Sequence, residues 1–421
     1  MDIPDDDTGQ RTIARADNPH APLSLAAFVG YLACFIAINA LSTDIMLPGF
    51  PDIANSLRTD TTSVQSVITA YLFGFGLSQL FLGFVTDRYG RRPVLLGGTF
   101  VFTIASIACT FSTSLETMLL FRALQGLGAG GIRVIATAAA RDCYEGRTLA
   151  RVMSLVMTVF MAVPILAPAI GQGILLIADW RAIFGVLVLY GAVMLAASWY
   201  AFPETLEKQN RRPIDMAAIS GSLAAIFGSA QTVGYTIAAG VFFGSLFGFI
   251  ATAQQLMAGV YGLGVWFPLV FSLMALALSA ASFINAMLVE RYGMRLLSHG
   301  AVILFCLNSF AMMILQYLGL LHLWGFVTLH SVNMFLVGLV FANFNALALE
   351  PQGDIAGVAS AFVGAVTVII GAAAGFFIGQ EFDGTAQPLI VGFFLSGFLC
   401  IIVLFVTEKG RLFQAKHAPK H

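Results

Sequence analysis

Twelve unbroken apolar runs, each about as long as a helix that crosses a bilayer, leave this chain little choice of fold. They lie near residues 25–47, 64–85, 94–112, 116–139, 151–177, 182–202, 232–253, 266–288, 297–318, 324–348, 357–379 and 388–407. In lipid a backbone must satisfy its own N–H and C=O groups, so spans are helices or strands of a closed barrel. Barrel strands would be short and would alternate polar with apolar residues, and these runs do neither. Only 10% of the 421 residues are charged and mean hydropathy is +0.87, a surface balance that suits lipid rather than water. The expected class is an all-α polytopic membrane protein with twelve transmembrane helices.

An even number of spans puts both termini on one side. Of the 21 basic residues, 17 fall in the tails and in the loops after spans 2, 4, 6 and 8, whereas only Arg58 and Arg181 fall in loops on the other side. The positive-inside rule therefore places both termini in the cytoplasm. A net charge of −1 gives no field that would suggest nucleic acid. The five cysteines (Cys34, Cys109, Cys143, Cys306 and Cys400) have no metal-ligand spacing and are read as free thiols. The expected division is a cytoplasmic tail over 1–22, a six-helix bundle over 23–203, a cytoplasmic linker over 204–231, a second six-helix bundle over 232–407 and a tail over 408–421. The linker starts polar and turns apolar from Ile214, which predicts a helix along the membrane face.

The chain repeats itself. Residues 83–92 read GFVTDRYGRR and residues 286–295 read AMLVERYGMR, an offset of 203, close to half the length. Both copies follow an even-numbered span. Six plus six parallel spans is the arrangement of the major facilitator superfamily, with two pseudo-symmetric bundles. The first copy resembles that superfamily's signature loop at Gly83, Asp87, Arg88, Gly90, Arg91 and Arg92. Gly83 would let another helix approach, and Gly90 would supply a tight turn. The resemblance implies a conformational latch at the cytoplasmic side. In the second copy Glu290 stands for Asp87 and Met294 for Arg91.

Span 4 reads FRALQGLGAGGIR and resembles the family's arginine motif of that helix at Arg122 and Gly126. An arginine this deep should face water or a counter-charge. Arg133, three turns on, either shares that face or reaches for the helix end. Span 1 ends LSTDIMLPGFP, and Asp44 is the one acid well inside the first six runs. Burial disfavours a charged carboxylate, so such a group can change protonation near neutral pH, and a nearby arginine opposes that shift. Asp44 and Arg122 are the expected proton-coupling pair. Span 5 reads AVPILAPAIGQGI, similar at Pro168 and Gly171 to the antiporter motif of the family, and Pro164 and Pro168 permit bending.

With Arg141-Asp142, Trp180-Arg181 and Pro203-Glu204-Thr205, residues 40–206 closely resemble the Bcr/CflA group of drug:proton antiporters. That resemblance implies a monomeric, proton-coupled exporter of drug-like or peptide-like small molecules in the bacterial inner membrane. Arg141, Pro164, Pro168 and Gly171 would join the loop of 83–92 as conformational-switch residues. An importer or facilitator of a nutrient such as an organic acid, with Arg122 holding its carboxylate, is the alternative. Where some related carriers hold a second acid before Asp44, this chain has Ile36. Spans 1, 4, 7 and 10 line the cavity in this superfamily, so the expected lining is Asn39, Asp44, Arg122, Gln125, Phe247, Gln254, Asn333, Phe341 and Asn345. His330 is read as a packing histidine. The glycines from Gly126 to Gly131 lie inside a span and are read as close helix packing rather than a phosphate loop. No pattern for a nucleophile, metal site or nucleotide loop is present, so no enzyme activity, cofactor or metal is expected.

Overall fold

The computed structural model describes residues 23–211, 213 and 215–414, so the expectations placed on residues 1–22 and on Arg212, Ile214, Lys416 and Lys420 lie outside the described residues. Twelve helices are long and apolar enough to cross a membrane. They are Leu25–Leu57, Thr61–Tyr89, Arg91–Thr110, Leu115–Cys143, Gly146–Leu175, Arg181–Ala201, Ala230–Val260, Gly264–Tyr292, Met294–Tyr317, Leu323–Leu349, Ala356–Gln380 and Gln387–Thr407, called spans 1–12 below. A shorter apolar helix, Met216–Gly228, precedes span 7. Among the described residues there is no strand.

Local chemistry sets many boundaries. Ser24 caps span 1 by accepting from the Ala27 N–H, and Ser114 and Thr117 form a capping box at span 4. The repeated loop turns at Gly90 (φ 97°) and Gly293 (φ 78°), a region where a side chain would be strained. At Gly90 an added Cβ would also sit 2.2 Å from a carboxylate oxygen of Glu204. Span 1 differs from expectation. Pro48 and Pro51 do not end it but restart it, each near the N-terminus of a new helical piece (Leu47–Gly49 and Phe50–Leu57), where a missing N–H costs nothing. Asp44 is the last residue of the regular helix Leu25–Asp44. Span 7 closes in a π-helical turn, Gln255–Val260.

Lipid gives helices no hydrophobic reason to associate, so small residues and polar contacts hold the seams. Span 4 shows this on two faces. An added Cβ at Gly126 or Gly130 would lie 1.9 Å from the Tyr71 carbonyl or 2.4 Å from that of Phe75, both on span 2. At Gly128 it would lie 2.6 Å from the Gly98 carbonyl on span 3. The glycine run is therefore a packing device, as expected.

The two six-span halves meet along spans 2 and 11 and along spans 5 and 8. At the end away from the repeated loops the seam is sealed. Gln65 donates to Gln255, and Gln380 donates to the Thr62 carbonyl at 3.1 Å. Toward the other end, the basic end, the halves part around a cavity of about 670 Å³.

Candidate functional site

The cavity is walled by spans 1, 2, 4, 5, 10 and 11 and flanked at its mouth by the linker. From the first half come Ile36, Gln79, Arg133, Met153 and Met157, and from the second Asn345, Ser360 and Gly364. Ala218, Ile219 and Ser222 of the helix Met216–Gly228 form one side of the mouth, so this helix edges the cavity.

Of the nine residues expected to line a cavity, only Asn345 does so here. Asn333 faces span 9 instead, where Asn308 donates to it at 2.8 Å and it donates to Ser309 at 3.1 Å. Twelve residues separate the two asparagines, which is a third of a turn away from the same face. Phe247 packs on Gly371 and Gly375 of span 11, and Phe341 pairs with Phe243 at a centroid distance of 4.7 Å. Gln254 is buried at the sealed end of span 7, and the Asn39 side-chain oxygen is enclosed without a hydrogen-bond partner.

Arg122 is fully buried and belongs to a closed polar core rather than the cavity. Its guanidinium donates to the Ser42 carbonyl at 3.1 Å, the Val67 carbonyl at 3.3 Å and the Gln125 side chain, and lies 4.4 Å over the Tyr71 ring. Gln125 in turn donates to Ser106 at 2.6 Å. These partners replace water around the charge.

Asp44 is 3% exposed and accepts from the Thr43 hydroxyl at 2.9 Å. Among the described residues it forms no ion pair, so the expected Asp44–Arg122 pair is not made in this conformation. The two are linked through backbone instead, since Arg122 holds the carbonyl of Ser42, two residues before Asp44. Two residues along a helix turn the side chain about 200°, to the far face. Asp44 also neighbours the seam with span 5. An added Cβ at Gly171 would lie 1.9 Å from the Ile45 carbonyl, so the backbones touch there. Pro164 and Pro168 lie inside one continuous helix, and Ser272 of span 8 donates to the carbonyl of Ile165, three residues before Pro168. A hydroxyl from the other half thus serves backbone beside the proline break.

Arg91 organises the basic end of the first half. It pairs with Asp87 at 2.5 Å and Asp142 at 2.9 Å, donates to Thr86 at 2.9 Å, and its backbone N–H donates to Glu204 at 2.8 Å. Thr205 donates to Asp142 at 3.0 Å. Arg92 instead donates to the Trp199 carbonyl, Arg88 stacks 5.5 Å from the Tyr89 ring, and Arg141 lies on the cavity wall. Gly83 faces the open cavity, with nothing within 4 Å of an added Cβ. The helix approach expected at Gly83 is not made, because the halves are parted at this end.

The second copy of the repeat is less degraded than its letters suggest. Arg295, aligned with Arg92, does the work of Arg91. It pairs with Glu350 after span 10 and Glu408 after span 12, each at 3.0 Å, as Arg91 engages Asp142 at the end of span 4 and Glu204 after span 6. The long arginine stem lets either of the first two helix positions reach the acids. Tyr235 donates to Glu408 at 2.7 Å and lies 2.9 Å from His299 Nε2. Sequence reasoning missed this network. The equal spacing of Glu204 and Glu408 from the two arginines, read as part of the repeat, was the available signal.

The profile of the Major Facilitator Superfamily matches residues 32–376. The chain is 29% identical over 380 residues to the bicyclomycin resistance protein homolog of Haemophilus influenzae, covering 89% of this chain and 94% of that one. It is 31% identical over 342 residues to multidrug resistance protein D of Escherichia coli (79% and 83% covered). It is 32% identical over 378 residues to the chloramphenicol resistance protein of Pseudomonas aeruginosa (87% and 84% covered). A structure of the E. coli xylose transporter XylE, in a partially occluded inward-open conformation, superposes with a TM-score of 0.71 at 13% identity, covering 94% of this chain and 99% of the other. With twelve spans in two repeated halves and a parting between them, this chain is a transporter and belongs to the Major Facilitator Superfamily.

Proposed function

We propose that the chain is a proton-coupled exporter of drug-like small molecules, working as a monomer by alternating access in a bacterial cytoplasmic membrane. The names of the relatives support the substrate class, because they include resistance proteins for bicyclomycin and chloramphenicol. The observation that carries the coupling is Asp44, an enclosed carboxyl with no cation paired to it among the described residues, at the backbone contact between spans 1 and 5.

The basic end faces the cytoplasm by its excess of Lys and Arg. The cavity then opens inward, and substrate enters among Gln79, Met153, Met157 and Asn345. Apolar walls with few polar groups discriminate weakly between similar ligands, which suits several substrates. Rocking of the halves breaks the Gln65–Gln255 seal and closes the basic end. Asp87, half exposed on the cavity wall and bonded to Arg91, is placed to meet the second half as that end closes. Outside, a proton taken by Asp44 releases the substrate, and its loss inside resets the carrier.

The test is proton release. Purified protein in weakly buffered detergent is mixed with chloramphenicol. Release from the wild type that is lost in Asp44→Asn is the expected result. Equal release from Asp44→Asn would refute the role of Asp44.

A further inference from the structure

Deep in the cavity lies a cation, Arg133, that no carboxylate among the described residues neutralises. Arg133 sits ten residues before the end of span 4 at Cys143, about 15 Å in from the basic end at 1.5 Å per residue. Its side chain is on the cavity wall. Among the described residues its guanidinium forms no ion pair and no hydrogen bond, and its Cζ lies 5.8 Å from the Phe75 ring centroid.

The contrast with the buried arginines Arg91, Arg122 and Arg295 is sharp. Arg91 and Arg295 each hold two carboxylates, and Arg122 is wrapped in carbonyls and an aromatic face. Three acids line the cavity and none pairs with Arg133: Asp87 and Asp142 at the mouth are taken by Arg91, and Asp215 caps the helix Met216–Gly228 by accepting from the Ala217 N–H. Apart from the charged groups Asp87, Arg91, Arg141, Asp142 and Asp215, the lining is apolar or neutral and includes Ile36, Val134, Met153 and Met157, with the amides of Gln79 and Asn345. An uncompensated charge at this depth is expensive to keep. A guanidinium presents a planar fork of five N–H donors that fits a carboxylate with two parallel hydrogen bonds.

We propose that Arg133 is the anion-recognition residue of the cavity, and that the preferred substrates carry a carboxylate or similar anionic group on an apolar body. This inference rests on the reading of the cavity as the substrate pathway. It also moves the anion-binding role away from Arg122, whose donors are already spent on protein groups. The apolar body would lie against Met153 and Met157, whose flexible thioethers accommodate varied shapes.

The experiment compares dansyl-leucine with its methyl ester, two probes that differ in one charge. Binding to the purified full chain in lipid nanodiscs is measured by equilibrium dialysis, with empty nanodiscs subtracted. The wild type binds the acid more tightly than the ester, and Arg133→Gln weakens the acid by roughly tenfold or more while the ester is little changed. Arg133→Lys, which keeps the charge and loses the fork, falls between. A wild type without preference for the acid overturns the proposal, as does an Arg133→Gln protein that retains the preference. Should Arg133→Gln bind neither probe, Arg133→Lys decides: a restored preference for the acid supports the proposal, and equal loss of both probes refutes it. Chloramphenicol-driven proton release, compared between wild type and Asp44→Asn, tests the export reading separately and stands or falls without Arg133.

Discussion

Replacing Gly171 with alanine should uncouple the carrier, and replacing Gly173, two residues along the same helix, should not. At Gly171 the new Cβ would sit 1.9 Å from the Ile45 carbonyl oxygen and 2.9 Å from its carbon. Ordinary contact starts at 3.4 Å, so spans 1 and 5 must separate by about 1.5 Å. Neither side can yield locally, because both contacts are backbone in regular or near-regular helix. Overpacking of this kind costs about 1–3 kcal/mol. The displaced residue follows Asp44 directly, so the strain falls where a proton would act. At Gly173 nothing lies within 4 Å of the added Cβ, and alanine is about 1 kcal/mol better than glycine inside a helix. The assay is chloramphenicol uptake into inverted vesicles energised by a pH gradient, the equivalent of efflux from cells, with thermal unfolding of the purified proteins alongside. Gly171→Ala lowers both efflux and the unfolding temperature, whereas Gly173→Ala leaves efflux intact and raises stability slightly. Equal behaviour of the two variants would refute the backbone contact as the reason.

Two further outcomes are expected. With the five native cysteines replaced, Gln65→Cys with Gln255→Cys should be joined by a short bis-methanethiosulfonate reagent, because these side chains bond across the seal. The joined protein should stop transporting and recover on reduction, and continued transport while joined would show that the seal does not open. His330 is enclosed by the rings of Phe249, Phe326 and Phe393 at 4.1, 5.3 and 5.1 Å, and neither ring nitrogen has a partner. His330→Met should stabilise the protein by about 1 kcal/mol, since an orphaned polar group is exchanged for a thioether that packs well on aromatic rings. A lower unfolding temperature would show that the imidazole is satisfied in a way the contacts do not reveal.

The spans, the glycine seam and the turn at Gly90 were legible in the sequence because local chemistry alone dictates them. Lipid demands long apolar helices, a positive φ demands glycine, and a run from Gly126 to Gly131 permits close backbones. The cavity lining was not legible. Span 10 is apolar around its whole circumference, so no periodicity tells that Asn345 faces the cavity and Asn333 faces span 9. Arg122 and Arg133 show a second limit. Eleven residues apart, they lie within about 20° of one face, yet one is enclosed and the other lines the opening. Depth decides between them, since the halves converge at one end and part at the other. That is a property of the conformation, which the letters of span 4 do not carry. The repeat misled in the same way, because alignment by letter matched Arg91 to Met294 while the ion pairs match it to Arg295.

The contact between spans 2 and 4 bears on how such a carrier can evolve. Along Gly74 and Gly126 the atoms that an added Cβ would meet are backbone, so any enlargement there pushes one backbone against the other. Selection for a new compound therefore finds no room to work in that joint. It can work on Ile36, Met153 and Met157, where a substitution reshapes the space without moving a helix. A carrier pressed to accept an unfamiliar substrate would retailor its wall and keep its frame.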